Sequence, residues 1–207
     1  MKVYNFADHN SIANQYMAEL RDVDIQRDML RFRRNLERIG EIMAYEISRE
    51  VSYREAPVRT PLGTARCRLL DDRLVLATIF RAGLPFHQGF LDIFDHAQNA
   101  FVSAYRKYTD DDNFDVFIEY IASPRLDDKT LLLVDPMLAT GSSMELSYRA
   151  LLTKGIPAHV HVASVIASQQ AVDATLWVGA IDPELNAHSY IVPGLGDAGD
   201  LAYGDKE

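Results

Sequence analysis

The sequence predicts an α/β fold: a mainly parallel central sheet flanked by helices. Three observations lead there. Strand-like apolar segments alternate with helical ones along the chain, the pattern of parallel strands joined by crossover helices. Two strands, Leu74-Val75-Leu76-Ala77-Thr78-Ile79-Phe80 and Leu131-Leu132-Leu133-Val134, are almost unbroken apolar runs, as expected of strands covered on both faces. Both end in turns that carry charge and glycine, Arg81-Ala82-Gly83 after the first and Asp135 to Ser143 after the second. Open α/β sheets gather their ligands at that end.

Taken in order, residues 24–48 place Ile25, Met29, Phe32, Leu36, Ile39, Met43 and Ile47 at spacings of three and four, one apolar stripe on a long helix. Residues 51–70 carry Pro57, Pro61 and Gly63 between β-prone pieces and read as a hairpin-like excursion. The strand ending at Phe80 leads into a short helix over 85–94. Residues 100–105 and 114–121 read as two further strands, with a polar tip, Lys107-Tyr108-Thr109-Asp110-Asp111-Asp112-Asn113, between them. After the second apolar strand and its loop, a helix is expected over 144–152. A strand over 159–166, a short helix over 168–173 and strands over 176–180 and 188–192 follow. No internal repeat or linker is visible, so a single domain over 1–207 with a small β flap or hood is expected.

At 207 residues and 48% hydrophobic content the chain is long enough for a substantial core. It has no apolar run long enough to span a bilayer, and its first residues (MKVYNFADHN) lack a signal-like apolar stretch, so a cytoplasmic protein is expected. The formal net charge of −9 argues against nucleic-acid or anionic-membrane partners. The single Cys67 excludes an internal disulfide.

The loop after Val134 feeds a helix N-terminus, where free N–H groups and the positive dipole end favour an anion. Gly141 lets backbone approach the ligand, and Thr140, Ser142 and Ser143 can donate hydrogen bonds. A Walker loop is excluded because no Gly-Lys-Ser/Thr follows; an ordinary crossover turn is the plain alternative. Gly194-Leu195-Gly196-Asp197-Ala198-Gly199 matches G-x-G-x-x-G, but the acidic residue a dinucleotide fold needs about 20 positions later is not found before Glu207. Asp110, Asp111 and Asp112 read as a solvated tip rather than a metal site. His159 and His161 share one strand face, without the third ligand zinc would need. His87 has no assigned role.

Asp135-Pro136-Met137-Leu138-Ala139-Thr140-Gly141, with Pro193-Gly194-Leu195-Gly196-Asp197-Ala198-Gly199-Asp200, resembles the uracil phosphoribosyltransferases. Shorter matches are Ile79-Phe80-Arg81-Ala82-Gly83-Leu84, Tyr105-Arg106 and Tyr190-Ile191-Val192. The resemblance implies a type I phosphoribosyltransferase-like fold with a flap within about 105–125 and a base-binding segment at about 188–204. It implies a pentosyl transfer from phosphoribosyl pyrophosphate to uracil, giving UMP and pyrophosphate. Phosphoribosyl pyrophosphate is expected on Arg81, Arg106, Asp135, Pro136, Met137, Leu138, Ala139, Thr140, Gly141, Ser142, Ser143 and Asp197, and uracil on Ile191, Gly196, Asp197 and Ala198. Asp197 and Arg106 are the expected catalytic pair. Mg²⁺ is the implied cofactor, carried mainly by substrate pyrophosphate, and a homodimer or higher homo-oligomer is expected. Ser142 stands where the family usually has glycine, Pro85-Phe86 replaces Gly-Met, and Leu201-Ala202-Tyr203-Gly204 and the terminal Asp205-Lys206-Glu207 depart from the usual ending. Those departures leave two alternatives: a weakly active regulator that binds phosphoribosyl pyrophosphate or UMP, and a phosphoribosyltransferase for another base.

Overall fold

Polar side chains set ahead of apolar stripes start the first two helices. In the computed structural model, which describes residues 2–108, 114–169 and 176–205 (the side chains of 105–108 and 114–116 excepted), the chain opens with strand β1 (Val3–Asn5) and helix α1 (Ile12–Arg21). Ser11 begins α1 through a capping box with Asn14. Helix α2 (Met29–Ile47) begins at Asp28, whose carboxylate accepts the Arg31 N–H at 3.0 Å. The stripe had placed this start at residue 24. Instead the Asp22 side chain accepts the Asp24 and Ile25 N–H groups, and that local turn displaces helix.

The hairpin β2 (Tyr53–Thr60) and β3 (Gly63–Leu70) forms its own two-stranded sheet. Next come β4 (Leu74–Phe80), α3 (Gly83–Ile93), β5 (Gln98–Tyr108), β6 (Phe114–Ala122), β7 (Thr130–Val134) and the two-residue β8 (Met137–Leu138). Then α4 (Ser142–Leu152), β9 (His159–Ser168), β10 (Leu176–Asp182), β11 (Glu184–Leu185), β12 (Ile191–Val192) and α5 (Ala198–Tyr203) complete the series. The main sheet runs β1-β10-β9-β7-β4-β5-β6, with β8 on β9. Every described pairing in it is parallel except β5 with β6.

Side chains alternate across the sheet, so neighbouring residues serve different cores. Leu74, Leu76, Leu132 and Val134 pack with α1, α2, α3 and α5 on one face. Val75, Ala77, Leu131 and Leu133 pack with Met144 and Leu151 of α4 on the other. Helices α2 and α3 cross so closely that a Cβ on Gly40 would lie 2.5 Å from the Phe86 carbonyl oxygen, and one on Gly89 would lie 2.0 Å from that of Glu37. That crossing seats α3 behind the turn after β4.

The strand expected over 188–192 is reduced to Ile191–Val192, paired antiparallel with Glu184–Leu185 outside the main sheet. Asn186 is the reason: its Oδ1 accepts the His188 and Tyr190 N–H groups at 3.0 and 2.9 Å and curls the segment into a turn. Ser168, expected to open a helix, instead ends β9, and 170–173 lie outside the described residues, as do the tip residues Asp110, Asp111 and Asp112. Strand β1 and helices α1 and α5 had not been anticipated. Among the described residues no helix is long and apolar enough to cross a membrane.

Candidate active site

Strand β4 leads through α3 to β5 on one side, and its neighbour β7 leads through α4 to β9 on the other. Adjacent parallel strands whose connections depart in opposite directions leave a crevice at their carboxyl ends. A cavity of about 550 Å³ opens there. Arg81 and Ala82 line it from the end of β4, Asp135 and Met137 to Gly141 with Ser143 from the end of β7, and Asp197, Ala198 and Gly199 from the C-terminal segment.

The loop after β7 is shaped for an anion. Gly141 sits at the N-cap of α4 with φ +84°, provides no capping side chain, and has open space where a Cβ would be. The first turn of α4 therefore faces the cavity without a cap from its N-cap residue. Thr140 Oγ1 accepts the Ser142 N–H at 3.3 Å and lies 2.9 Å from Ser142 Oγ, so the two hydroxyls hold the loop's bend. Asp135 receives the Met137 N–H, yet desolvation dominates and pushes its carboxyl up to about 8.

The C-terminal side is the opposite: its polar groups are held by the protein. Asp197 Oδ1 accepts the Gly199 and Asp200 N–H groups at 2.8 and 3.1 Å and caps α5, the helix missed in the sequence. A residue one step after a glycine-rich turn, followed by Ala-Gly-Asp-Leu-Ala-Tyr, carried the N-cap signal that could have revealed it. Arg81 reaches across to α5, with Nη2 2.7 Å from Asp200 Oδ1 and Nη1 donating to the Gly204 carbonyl at 3.2 Å. Gly194 and Gly196 adopt φ +63° and +90°, and a Cβ on Gly194 would lie 2.0 Å from the Ile191 carbonyl oxygen. Only glycine permits that curl.

Of the expected site residues, Arg81, Asp135, Met137, Leu138, Ala139, Thr140, Gly141, Ser143, Asp197 and Ala198 converge on this cavity. Pro136 and Ile191 are buried beside it, Ser142 opens α4, and Gly196 borders an adjoining hollow that shares Asp197. The backbone of Arg106 lies in β5 opposite Val116; its side chain is outside the described residues. Ser103, Ala104, Met144 and Ser189 also line the cavity and had gone unnoticed, because none carries a local motif. His87 is a buried residue of α3, with Nε2 2.8 Å from Asn99 Oδ1, and burial pushes it down to about 4. His161 Nδ1 accepts the Trp177 indole N–H at 3.2 Å, consistent with a polar strand face.

Among the described residues, the acidic group close enough to share a metal ion is Glu37, Glu41 and Asp92, none of which lines the cavity. In the cavity, Asp135 and the free oxygen of Asp197 are hard carboxylate donors. That set suits a Mg²⁺ ion which keeps most of its ligands as water and phosphate oxygens.

A family model described as uracil phosphoribosyltransferase matches residues 7–205. A uracil phosphoribosyltransferase of Porphyromonas gingivalis is 61% identical, covering 100% of both chains. One from Methanothermobacter thermautotrophicus is 44% identical over 86% of this chain and 85% of that one. A solved Aquifex aeolicus structure, the AQ2163 protein, superposes with a TM-score of 0.87 at 28% identity over 98% of both chains. A hypoxanthine phosphoribosyltransferase from Staphylococcus aureus matches with a TM-score of 0.53 at 14% identity over 72% of this chain and 74% of that one, a likeness of fold.

Proposed function

The chain belongs to the uracil phosphoribosyltransferase family, and we propose that this cavity transfers the phosphoribosyl group of 5-phosphoribosyl 1-pyrophosphate to N1 of uracil, giving UMP and pyrophosphate. One observation carries the reading. A helix start suited to a phosphate and the C-terminal segment from Asp197 to Gly199, which follows a turn suited to a flat base, line one cavity of about 550 Å³.

The 5-phosphate sits on Thr140, Gly141, Ser142, Ser143 and the first turn of α4, where N–H groups and hydroxyls donate to its oxygens. Asp135, which lines the cavity, accepts from the ribose hydroxyls. Uracil presents N3–H between two acceptor oxygens to the backbone of Ile191, Gly196 and Ala198. The C1–O bond to pyrophosphate breaks as N1 bonds to C1, the N1 proton is released to the departing pyrophosphate or water, and the carbon gains oxocarbenium character. Asp197, fixed by its two backbone donors, places negative charge beside that carbon. Arg81 and Arg106 take the charge growing on pyrophosphate, and Arg81 exchanges Asp200 for it. Asp135 and Asp197 would help hold Mg²⁺ brought mainly by the pyrophosphate, and the ion would supply further charge neutralisation. The subunits associate as a homodimer or larger assembly in the cytoplasm.

Pyrophosphate release with phosphoribosyl pyrophosphate, Mg²⁺ and a panel of bases tests the reading. Uracil should support release and cytosine should not, because a backbone edge has a fixed donor and acceptor order and such sites discriminate by roughly 10⁴. Equal release with both bases would remove the C-terminal turn as the base reader. No release with any base would leave the regulatory alternative.

A further inference from the structure

A base read by backbone atoms is read only as well as that backbone is held. The segment proposed to read uracil has little sheet to hold it: β12 is two residues long and pairs only with β11. Its hold comes from Gly194 instead. The Gly194 N–H donates to Asp182 Oδ2 at 2.8 Å, and the Gly194 carbonyl accepts from Arg21 Nη1 at 3.0 Å. Arg21 in turn forks onto both Asp182 oxygens at 2.7 Å. Both polar groups of one peptide residue are thus gripped by one ion pair, whose carboxylate side is nearly buried. A Cβ there would lie 2.0 Å from the Ile191 carbonyl oxygen, so the position takes glycine and no side chain of its own can brace the turn.

The other end of the ion pair is equally fixed. Arg21 is the last residue of α1, and Asp182 the last of β10. Asp182 lies in register opposite Ser168, the last residue of β9. The buried Ser168 hydroxyl donates to the Ala139 carbonyl in the phosphate loop at 2.6 Å. Two paired residues at adjacent strand ends therefore each hold one half of the cavity, Ser168 the sugar-phosphate half and Asp182 the base half.

We infer that Arg21 and Asp182 are positioning residues for the base, fixing the turn through Gly194, and that Ser168 is their counterpart for the phosphate loop. This rests on the uracil phosphoribosyltransferase reading and adds how the two substrates are held at a set separation. Neither Arg21 nor Asp182 lines the cavity, so they act on substrate only through the backbone they hold.

The test is steady-state kinetics on the full chain with each substrate varied in turn, alongside melting temperatures. Asp182→Asn should raise KM for uracil roughly 10- to 100-fold, the worth of a charge-assisted hydrogen bond, and leave KM for phosphoribosyl pyrophosphate within about twofold. Arg21→Lys keeps the charge but not the fork and should fall between Asp182→Asn and wild type; it also serves if Asp182→Asn does not fold. Ser168→Ala should do the reverse, raising KM for phosphoribosyl pyrophosphate and sparing uracil. Equal changes in both KM values, or a lowered melting temperature with both KM values unchanged, would reduce Arg21 and Asp182 to structural residues and overturn the inference. A wild-type chain with no uracil-dependent release would overturn the functional reading itself, and the inference with it.

Discussion

The phosphate loop after β7 and the C-terminal segment face each other across one cavity and are built on opposite terms. The loop is contiguous in sequence, and its polar groups are met only in part: Gly141 gives α4 no side-chain cap, Thr140 Oγ1 accepts the Ser142 N–H, and burial raises the Asp135 carboxyl despite the Met137 N–H. The C-terminal segment is bound by residues from across the chain: Arg21 and Asp182 at Gly194, Arg33 at the Ala202 carbonyl, and Arg81 at Asp200. The difference matches what each is proposed to recognise. A phosphate brings charge of its own and can complete a half-satisfied site, whereas a flat neutral base needs a frame already fixed.

The sharpest way to break that contrast is to remove charge from the fixed side without loosening it. Asp197→Asn keeps an oxygen able to cap α5, so the melting temperature should hold. Turnover should nonetheless fall about 10²–10³-fold, the scale of losing one preorganised electrostatic group. Near-normal turnover at saturating Mg²⁺ would leave Asp197 as a helix cap alone. Gly194→Ala attacks the frame itself, since its Cβ would lie 2.0 Å from a carbonyl oxygen. Uracil kcat/KM should drop by roughly 10²-fold, on the scale of a misplaced reacting group, with KM for phosphoribosyl pyrophosphate little changed.

On the other side, Gly141→Ala meets open space and costs only the left-handed backbone, about 1–2 kcal/mol. Kinetics should show roughly a tenfold rise in KM for phosphoribosyl pyrophosphate, the equivalent of that energy, and uracil unaffected. A matching rise for uracil would mean that the two halves are not independent.

The two aspartates sharpen the comparison through pH. Asp135 has its folded pKa raised from 3.8 to about 8, so its contribution to stability is present below 3.8 and is lost as pH rises to about 8. Asp135→Asn should therefore melt above wild type at pH 8, by a few degrees, with the gap shrinking toward pH 4. For Asp182, burial raises the carboxyl, but hydrogen bonds from Arg21 and Gly194 outweigh it and hold the group below its ordinary value. Its contribution is present above 3.8 and is lost as pH falls through the folded value. Asp182→Asn should melt below wild type at pH 7, with the gap closing in acid. Thermal melts across pH on both variants check the opposite signs.

The same contrast explains what the sequence made legible. Strands β4 and β7 stand out because two-sided burial leaves nearly unbroken apolar runs, and the phosphate loop because strand, turn and helix start are consecutive. The anchors of the base segment could not be read that way. Arg21 ends a short helix, Asp182 ends an otherwise apolar strand, and the two lie 161 positions apart in sequence. Strand β1 is only three residues long and gains its place from pairing with β10. The false strand at 188–190 came from its β-prone composition, which the Asn186 turn overrides. Ser103 and Ser189 reach the cavity by tertiary placement alone.

A crystal structure with UMP bound tests the division of labour most directly. The 5′-phosphate should lie within hydrogen-bond reach of Thr140 and the first-turn N–H groups of α4. The uracil edge should rest on the backbone of Ile191, Gly196 and Ala198, with the Arg21–Asp182–Gly194 contacts unmoved. A phosphate bound elsewhere, or a uracil ring held by side chains with those contacts broken, would contradict the account.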